Sequence, residues 1–553
     1  MSLRHQFTLP VILSALALLA GCGGGGNSTT AGTPPPTGSF SNSDLNGTFV
    51  FSVAGSDSNG NYMATVGTFS ADGKGNITGG TLDFNDNGSG PTTNQAVTGG
   101  NYFVGVDGRP SSQLGLLTLN TSTGSFTFDY VLTSSQHGLI TEFDSFGSGS
   151  GTLDLQANVT QTNVNGQSYA FNFSGTSGTG STFCGISPGV SVVVPLATVG
   201  AFTLDSSGNI SAGVQDFNNN CTSSGLTNLP MTGSLSLATV PGTATLTSGG
   251  STYTFDVYPV DSTHLKFIET DTTPILVGDA FTQTSSIPTG NSVFTLAGFD
   301  ITGQGPFAAA GIIDTDGNGN IKSDSVEDIN DNYLASEVTT GITGTYSALA
   351  GGRSVLTFSS GFINGNNGAG CSNCQFAAYP SSGGLELLEI DDAGMTDGTA
   401  YPQTSGASLA STQGYGMNLS GLSLTNNGFS QSTTEEDDIA EFTNTNGSLT
   451  PGVIDFNDTG SVSFGQKFSS TYAADSTISG RGTVTPSSNA YNLVTYAIDN
   501  TSEAVVSIDA GLVGLGSMVQ QSSSAKSSAA ARHLAVLRLA PSSAKVTKRR
   551  TQH

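Results

Sequence analysis

Short runs of alternating apolar and polar residues fill the chain from residue 47 to residue 520, and no apolar pattern of helical spacing persists over a comparable length. The runs are not random. "GTFVFSVAG" (from Gly47), "QSYAFNFSG" (from Gln167), "NSVFTLAG" (from Asn291) and "QGYGMNLSG" (from Gln413) each end on Gly, so one unit recurs every 120 to 124 residues. Downstream the copies stay in register: "GTFSADGKGNITGGTLDFNDNG" answers to "GAFTLDSSGNISAGVQDFNNNC", "GIIDTDGNGNIKSDSVEDINDN" and "AEFTNTNGSLTPGVIDFNDTG". Each copy closes on a Gly-rich strand ending in Gln (Gln156, Gln283, Gln403, Gln520).

Within the first copy the alternation predicts eight strands, over 47–53, 62–70, 75–85, 97–106, 113–120, 124–133, 138–144 and 149–155. The links are short and rich in Gly, Asp, Asn and Ser, so consecutive strands should pair as antiparallel hairpins. Eight strands joined this way close into an up-and-down barrel, which removes exposed sheet edges. The expected fold is therefore all-β: four tandem antiparallel eight-stranded barrels over 45–160, 161–287, 288–407 and 408–521. The pattern is similar to lipocalin and avidin barrels, without their signature tryptophan. Two-sheet β-sandwiches are the main alternative, and a propeller comes third because the half-copies do not resemble each other.

Composition agrees. Of 553 residues 75 are Gly, none is Trp and only 10% are charged, which favours strands and turns over long helices.

The N-terminus gives a cellular address. Arg4 precedes the apolar core "LPVILSALALLA", too short for a mature membrane span, and "LAGC" follows, ending at Cys22. This tetrapeptide resembles the bacterial lipobox, which implies a signal peptide over 1–21 and a diacylated Cys22 as the new N-terminus; an ordinary signal peptide with a chance Cys is the alternative. Gly23 after the Cys points, by that family's sorting rule, to the outer membrane or cell surface. Residues 22–44, with a Gly run and Pro34 to Pro36, read as a tether. The repeat segments resemble those of Gly/Ser/Asn-rich tandem-repeat lipoproteins of soil Acidobacteria, which carry a motif like "GSFTADGNGNITSG". The resemblance spans roughly residues 45 to 520 and implies no activity.

Export suits the cysteines. With Cys22 lipidated, Cys184–Cys221 and Cys371–Cys374 are the economical disulfide pairs in an oxidising compartment. "CSNC" also has the spacing of a redox or half-zinc site, but no helix start, His or second pair accompanies it.

Charge excludes one partner class. Residues 23–520 hold all 41 acids against Lys74, Arg109, Lys266, Lys322, Arg353, Lys467 and Arg481, and such a body repels nucleic acid. The tail 522–553 is basic and reads as a disordered end, or as a contact for anionic lipid, surface polysaccharide or another acidic body.

Candidate chemistry rests on acids. "DTDGNGNIKSDS" spells a calcium loop with Asp314, Asp316 and Asn318, yet the sister copies keep only its glycine (Gly75, Gly208, Gly319, Gly447) and its last ligand position is Ser325. A hairpin turn is the simpler reading, with a weak calcium site the alternative. Two acidic motifs do recur. One is Asp83, Asn85 and Asp86, with Asp216 and Asn218, with Asp328, Asn330 and Asp331, and with Asp455, Asn457 and Asp458. The other is Glu142 and Asp144, Glu269 and Asp271, Glu389 and Asp391, with Ser507 and Asp509 in the fourth copy.

Strands three and seven run toward the same end, so both motifs should reach one mouth. Period-two counting puts Asp83 on the face of Ile77, Asp216 with Ile210 and Val214, and Asp455 with Leu449 and Val453, faces expected inside. The longer spacing in the third copy weakens that expectation. Such a mouth could hold calcium, supply a general acid, or simply cap strand ends. Arg109, Arg353 and Arg481 at the four-to-five turn lie at the opposite end and read as a plug or surface charge. No cofactor is expected beyond calcium. No P-loop or H-E-x-x-H string occurs, so a catalytic role is not expected. The reading is a lipid-anchored envelope protein with an adhesive, structural or partner-binding role, its partners the membrane and an envelope protein or polysaccharide. Carriage of a small apolar ligand inside the barrels is the alternative, and hydrolysis at the mouth a remote one.

Overall fold

The computed structural model describes residues 40–177, 194–219, 226–300, 305–362, 373–391, 393–426, 431–488 and 490–522. The expected signal peptide, Cys22, nearly all of the tether and the basic tail beyond Ser522 fall outside the described residues. So do Cys184, Cys221 and Cys371, and with them both expected disulfides; Cys374 sits in the interior of the third copy.

Every ladder joining neighbouring strands is antiparallel, and the last strand of each copy returns to pair with the first. Asn46–Asp57 pairs with Gly147–Leu155, Ser168–Thr176 with Ile275–Thr282, Gly290–Asp300 with Gly394–Pro402, and Gln413–Asn426 with Leu512–Gln520. The four copies are thus closed eight-stranded barrels, and these first-to-last ladders exclude sandwiches. Gln156, Gln283, Gln403 and Gln520 each end or follow the closing strand, as expected.

The first barrel departs from the expected boundaries in one region. Its fourth strand begins at Thr92 rather than residue 97, breaks at Thr98 and ends at Asn101. A loop through Asp107, Gly108 and Pro110 replaces the rest, and Gln113–Gly115 is a single 3-10 turn before Leu117–Asn120. Gly108, at φ +81°, makes a turn within that loop.

Inward side chains fill each barrel. Phe49, Phe51, Phe69, Phe128 and Tyr130 pack inside the first, Phe171, Phe173, Phe202, Phe255 and Phe267 inside the second, and Phe294, Phe358, Phe362 and Phe376 inside the third. In the fourth, the space between Met417, Phe442, Phe468 and Met518 is no larger than a water molecule needs.

One irregularity recurs at the start of the third strands, Asn76–Asp86, Asn209–Asn218, Asn320–Asp331 and Ser448–Asp458. Ser70 pairs with Gly79 but Ala71 with Ile77, and Thr203 with Ala212 but Leu204 with Ile210. The later barrels shift register at the same place. An extra residue in a strand reverses the phase of alternation beyond it. Ile77, Ile210 and Leu449 therefore point inward and the Asp six residues later points out, whereas in the third copy, which takes up two residues, Ile321 and Asp328 fall on opposite faces through their seven-residue spacing.

Those outward faces are not solvated. Val50, Ala54, Tyr62, Ala64 and Val66 of the first barrel pack against Tyr258, Val260, Ile268, Ile275 and Val277 of the second. Ala197, Val199 and Ala201 meet Ala377, Tyr379, Leu388 and Met395 of the third, and Ala308, Ala310, Ile312 and Val326 meet Val494, Tyr496, Val506 and Leu515 of the fourth. Ile439 of the fourth returns to Val131 and Leu139 of the first. The barrels are joined in a closed cycle, each offering its first strands to the last strands of the next.

Candidate functional site

The recurring acids lie at the seams between barrels. Pointing outward, the aspartate of each third strand meets the following barrel. Asp83 accepts from the Tyr258 hydroxyl at 2.7 Å. Asp216 accepts from Arg353 Nε and Nη2 at 2.6 and 2.7 Å and from the Tyr379 hydroxyl. Asp328 accepts from Arg481 Nε and Nη2, both at 2.8 Å, and from the Tyr496 hydroxyl. Asp455 accepts from Arg109 of the first barrel.

The same aspartate works on its own barrel as well. Its Oδ1 also takes a main-chain amide in or just before the fourth strand, at Asn94, Asn228, Val338 and Gly465, each with positive φ. The carboxylate thus holds a kinked strand on one side and a neighbouring barrel on the other.

Two residues on, the asparagine joins the two motifs. Asn85 Nδ2 donates to the carbonyls of Glu269 and Asp271 at 2.8 and 3.1 Å. Asn218 Nδ2 donates to those of Glu389 and Gly394, and Asn330 Nδ2 lies 3.0 Å from each of the Ser507, Asp509 and Leu512 carbonyls. Asn457 Nδ2 donates to Glu142 and Gly147 of the first barrel at 2.6 and 2.7 Å. The two motifs meet across a seam between neighbouring barrels and not at the mouth of one barrel.

The second motif divides its labour. Glu142, Glu269 and Glu389 pair opposite Phe128, Phe255 and Phe376 and face inward, where burial pushes their carboxyls well above the usual range. Asp144, Asp271, Asp391 and Asp509 accept the main-chain amides of Thr127, Thr254, Gln375 and Asn492 and so cap the turn. Asp86 likewise caps its own turn through Gly88 N and Ser89 Oγ, while Asp331 and Asp458 end the corresponding strands.

The arginines correct the earlier reading. They do lie at the other end of their own barrels, but their partner acid belongs to the preceding barrel, a relation that strand direction within one copy cannot reveal. Arg109 reaches its acid from the long loop of the first barrel, whereas Arg353 and Arg481 do so from the start of the fifth strand.

In the calcium-like stretch, Asp316 Oδ1 accepts the amides of Asn318 and Asn320, and its Oδ2 the Asn320 side chain. These bonds hold the Asp316 carboxyl below its ordinary range, and Asp72 and Asp205 repeat the arrangement. Asp314 pairs instead with Lys322 at 2.7 Å, and its amide donates to Ser325. Gly75, Gly208, Gly319 and Gly447 all have positive φ, which explains why the glycine alone recurs. Among the described residues no group of three or more His, Cys, Asp or Glu side chains is arranged to hold a metal ion.

Sequence reasoning missed the seam tyrosines Tyr258, Tyr379 and Tyr496, although they occupy one register in three copies. It also missed Lys266, buried at the first seam, whose Nζ reaches Ser52 and Thr152 of the first barrel and Asp279 of the second.

No family model and no curated protein matches the chain. Among solved structures it is similar to transferrin binding protein B of Neisseria meningitidis, at 10% identity over 71% of this chain and 84% of that one, with a TM-score of 0.18. A double mutant of transferrin binding protein B from Haemophilus parasuis matches at 9% identity over 71% and 82%, with a TM-score of 0.16.

Proposed function

We propose that the chain is a lipid-anchored envelope protein whose four barrels form one rigid, non-catalytic body for adhesion, envelope structure or partner binding. One observation carries the non-catalytic part. Among the recurring acids, Asp83, Asp216, Asp328 and Asp455 hold barrel to barrel, Asp144, Asp271, Asp391 and Asp509 cap turns, and Glu142, Glu269 and Glu389 are shut inside filled barrels away from solvent. Filled interiors favour a solid body over carriage of an apolar ligand. The acidic composition of residues 23–520 favours a cationic partner surface. The anchor rests on the LAGC sequence alone.

Radiolabelled palmitate fed to cells making the wild type or Cys22→Ser, followed by envelope fractionation and native mass spectrometry, tests the reading. Labelled wild type in the envelope, unlabelled released variant and no bound small molecule are expected. An unlabelled wild type overturns the anchor, and a stoichiometric small-molecule adduct overturns the non-carrier role.

A further inference from the structure

Three seams are built on a mainly apolar second-strand face, and the fourth on an acidic one. Opposite the third-strand aspartate, the second strands carry Val66, Val199, Ala310 and Ile439. Two residues before that position stand Ala64, Ala197 and Ala308, but Asp437 in the fourth barrel. Two after it stand Thr68, Ala201 and Ile312, but Glu441, and four before it Tyr62, Pro195 and Pro306, but Glu435. The receiving face has changed to match. Where the second barrel offers Ile268, Ile275 and Val277, and the fourth Val506, Val513 and Leu515, the first offers Thr141, Ser148 and Ser150.

Carboxyls and hydroxyls therefore close the cycle. Ser56 donates to Glu435, and Ser148 Oγ lies 2.6 Å from Asp437 Oδ2. Ser148 Oγ also lies 2.8 Å from the carbonyl of Asn457. A hydroxyl has one proton and a carbonyl can only accept, so a full two-centre hydrogen bond at both contacts requires Asp437 to be protonated and to donate to Ser148.

We propose that the seam between the fourth and first barrels is a proton-dependent latch, closed while Glu435, Asp437 and Glu441 carry protons and released as they ionise. The surroundings supply little positive charge. Ser150 and Ser420 flank Asp437, Glu142 adds like charge from the first barrel, and Asp438 from its own strand. Asp107 and Arg109 face Glu441, and Arg109 is already bound to Asp455 beside Asp129. Burial pushes Asp437 up to about 6, Glu441 up to about 8 and Glu435 well above its ordinary value.

The sign follows. In the open seam these groups ionise as ordinary carboxyls, so closure is fully favoured below about pH 4 and weakens as pH rises through about 6 and about 8.

Hydroxyl-radical footprinting of the full chain at about pH 5 and about pH 9 reads side-chain exposure at each seam. Ile439 and Leu139 should become several-fold more reactive at the higher pH, while Tyr379 and Tyr496 at the apolar seams stay protected. The triple variant Glu435→Gln, Asp437→Asn, Glu441→Gln should stay protected at both, because amides donate without titrating. Asp437→Asn alone should lessen the rise if the triple variant does not fold. An unchanged wild-type seam, an equal rise at all seams, or an undiminished rise in the variants would overturn the latch.

Discussion

Asn457 gives its side-chain amide to the main-chain carbonyl of Glu142, a residue 315 positions earlier, and so joins the last barrel to the first. The same bond type joins every other barrel pair, which makes this asparagine the most uniform contact of the assembly. A neutral donor suits the place, because it satisfies carbonyls at a strand end without bringing another charge into an acidic body.

Replacing Asn330 with Ala removes the donor that lies 3.0 Å from three carbonyls of the fourth barrel. The expected loss is about 2 kcal/mol, since buried acceptors lose their partner. Denaturant unfolding followed by a tyrosine signal from the third and fourth barrels checks it.

Arg481→Met leaves Asp328, wholly buried, with a charge that only Tyr496 and Val338 N offset. A cost of about 4 kcal/mol is expected. Adding Asp328→Asn should recover more than half of it, because the unpaired charge then disappears. A double-mutant cycle on the denaturation midpoint measures the coupling.

Glu503 faces into the fourth barrel beside Thr495, and burial pushes its carboxyl up to about 8. Its folded value exceeds the unfolded one, so its contribution is fully present below about pH 4.5 and is lost as pH rises through about 8. Glu503→Gln should therefore raise the melting temperature more at about pH 9 than at about pH 5. An equal shift at both would sink this account of the residue.

Calcium should leave the melting temperature of the full chain unchanged. In "DTDGNGNIKSDS" Asp316 is taken by turn amides and Asp314 by Lys322, and the motif aspartates Asp83, Asp216, Asp328 and Asp455 are taken by the seams. A calcium-dependent shift abolished by Asp314→Asn would restore the loop as a site.

Alternation, turn residues and the fourfold repeat were enough to predict closed eight-stranded barrels, because strand pairing between sequence neighbours is a local matter. The glycine common to the hairpins was legible for the same reason. The direction of Asp83, Asp216 and Asp455 was not. A single extra residue in those three third strands inverts the inside–outside phase, and the bulge that absorbs it is set by pairing with the second strand.

The partners of those acids lay further still from view. Arg353 belongs with Asp216, and Tyr496 with Asp328, only because whole barrels pack side by side. Counting along one copy compares a barrel with itself, whereas the seam compares it with its neighbour. The sequence by itself determined the barrels and marked the recurring residues. Tertiary packing alone decided that those residues hold four barrels in a cycle, since burial at a seam depends on what lies across it.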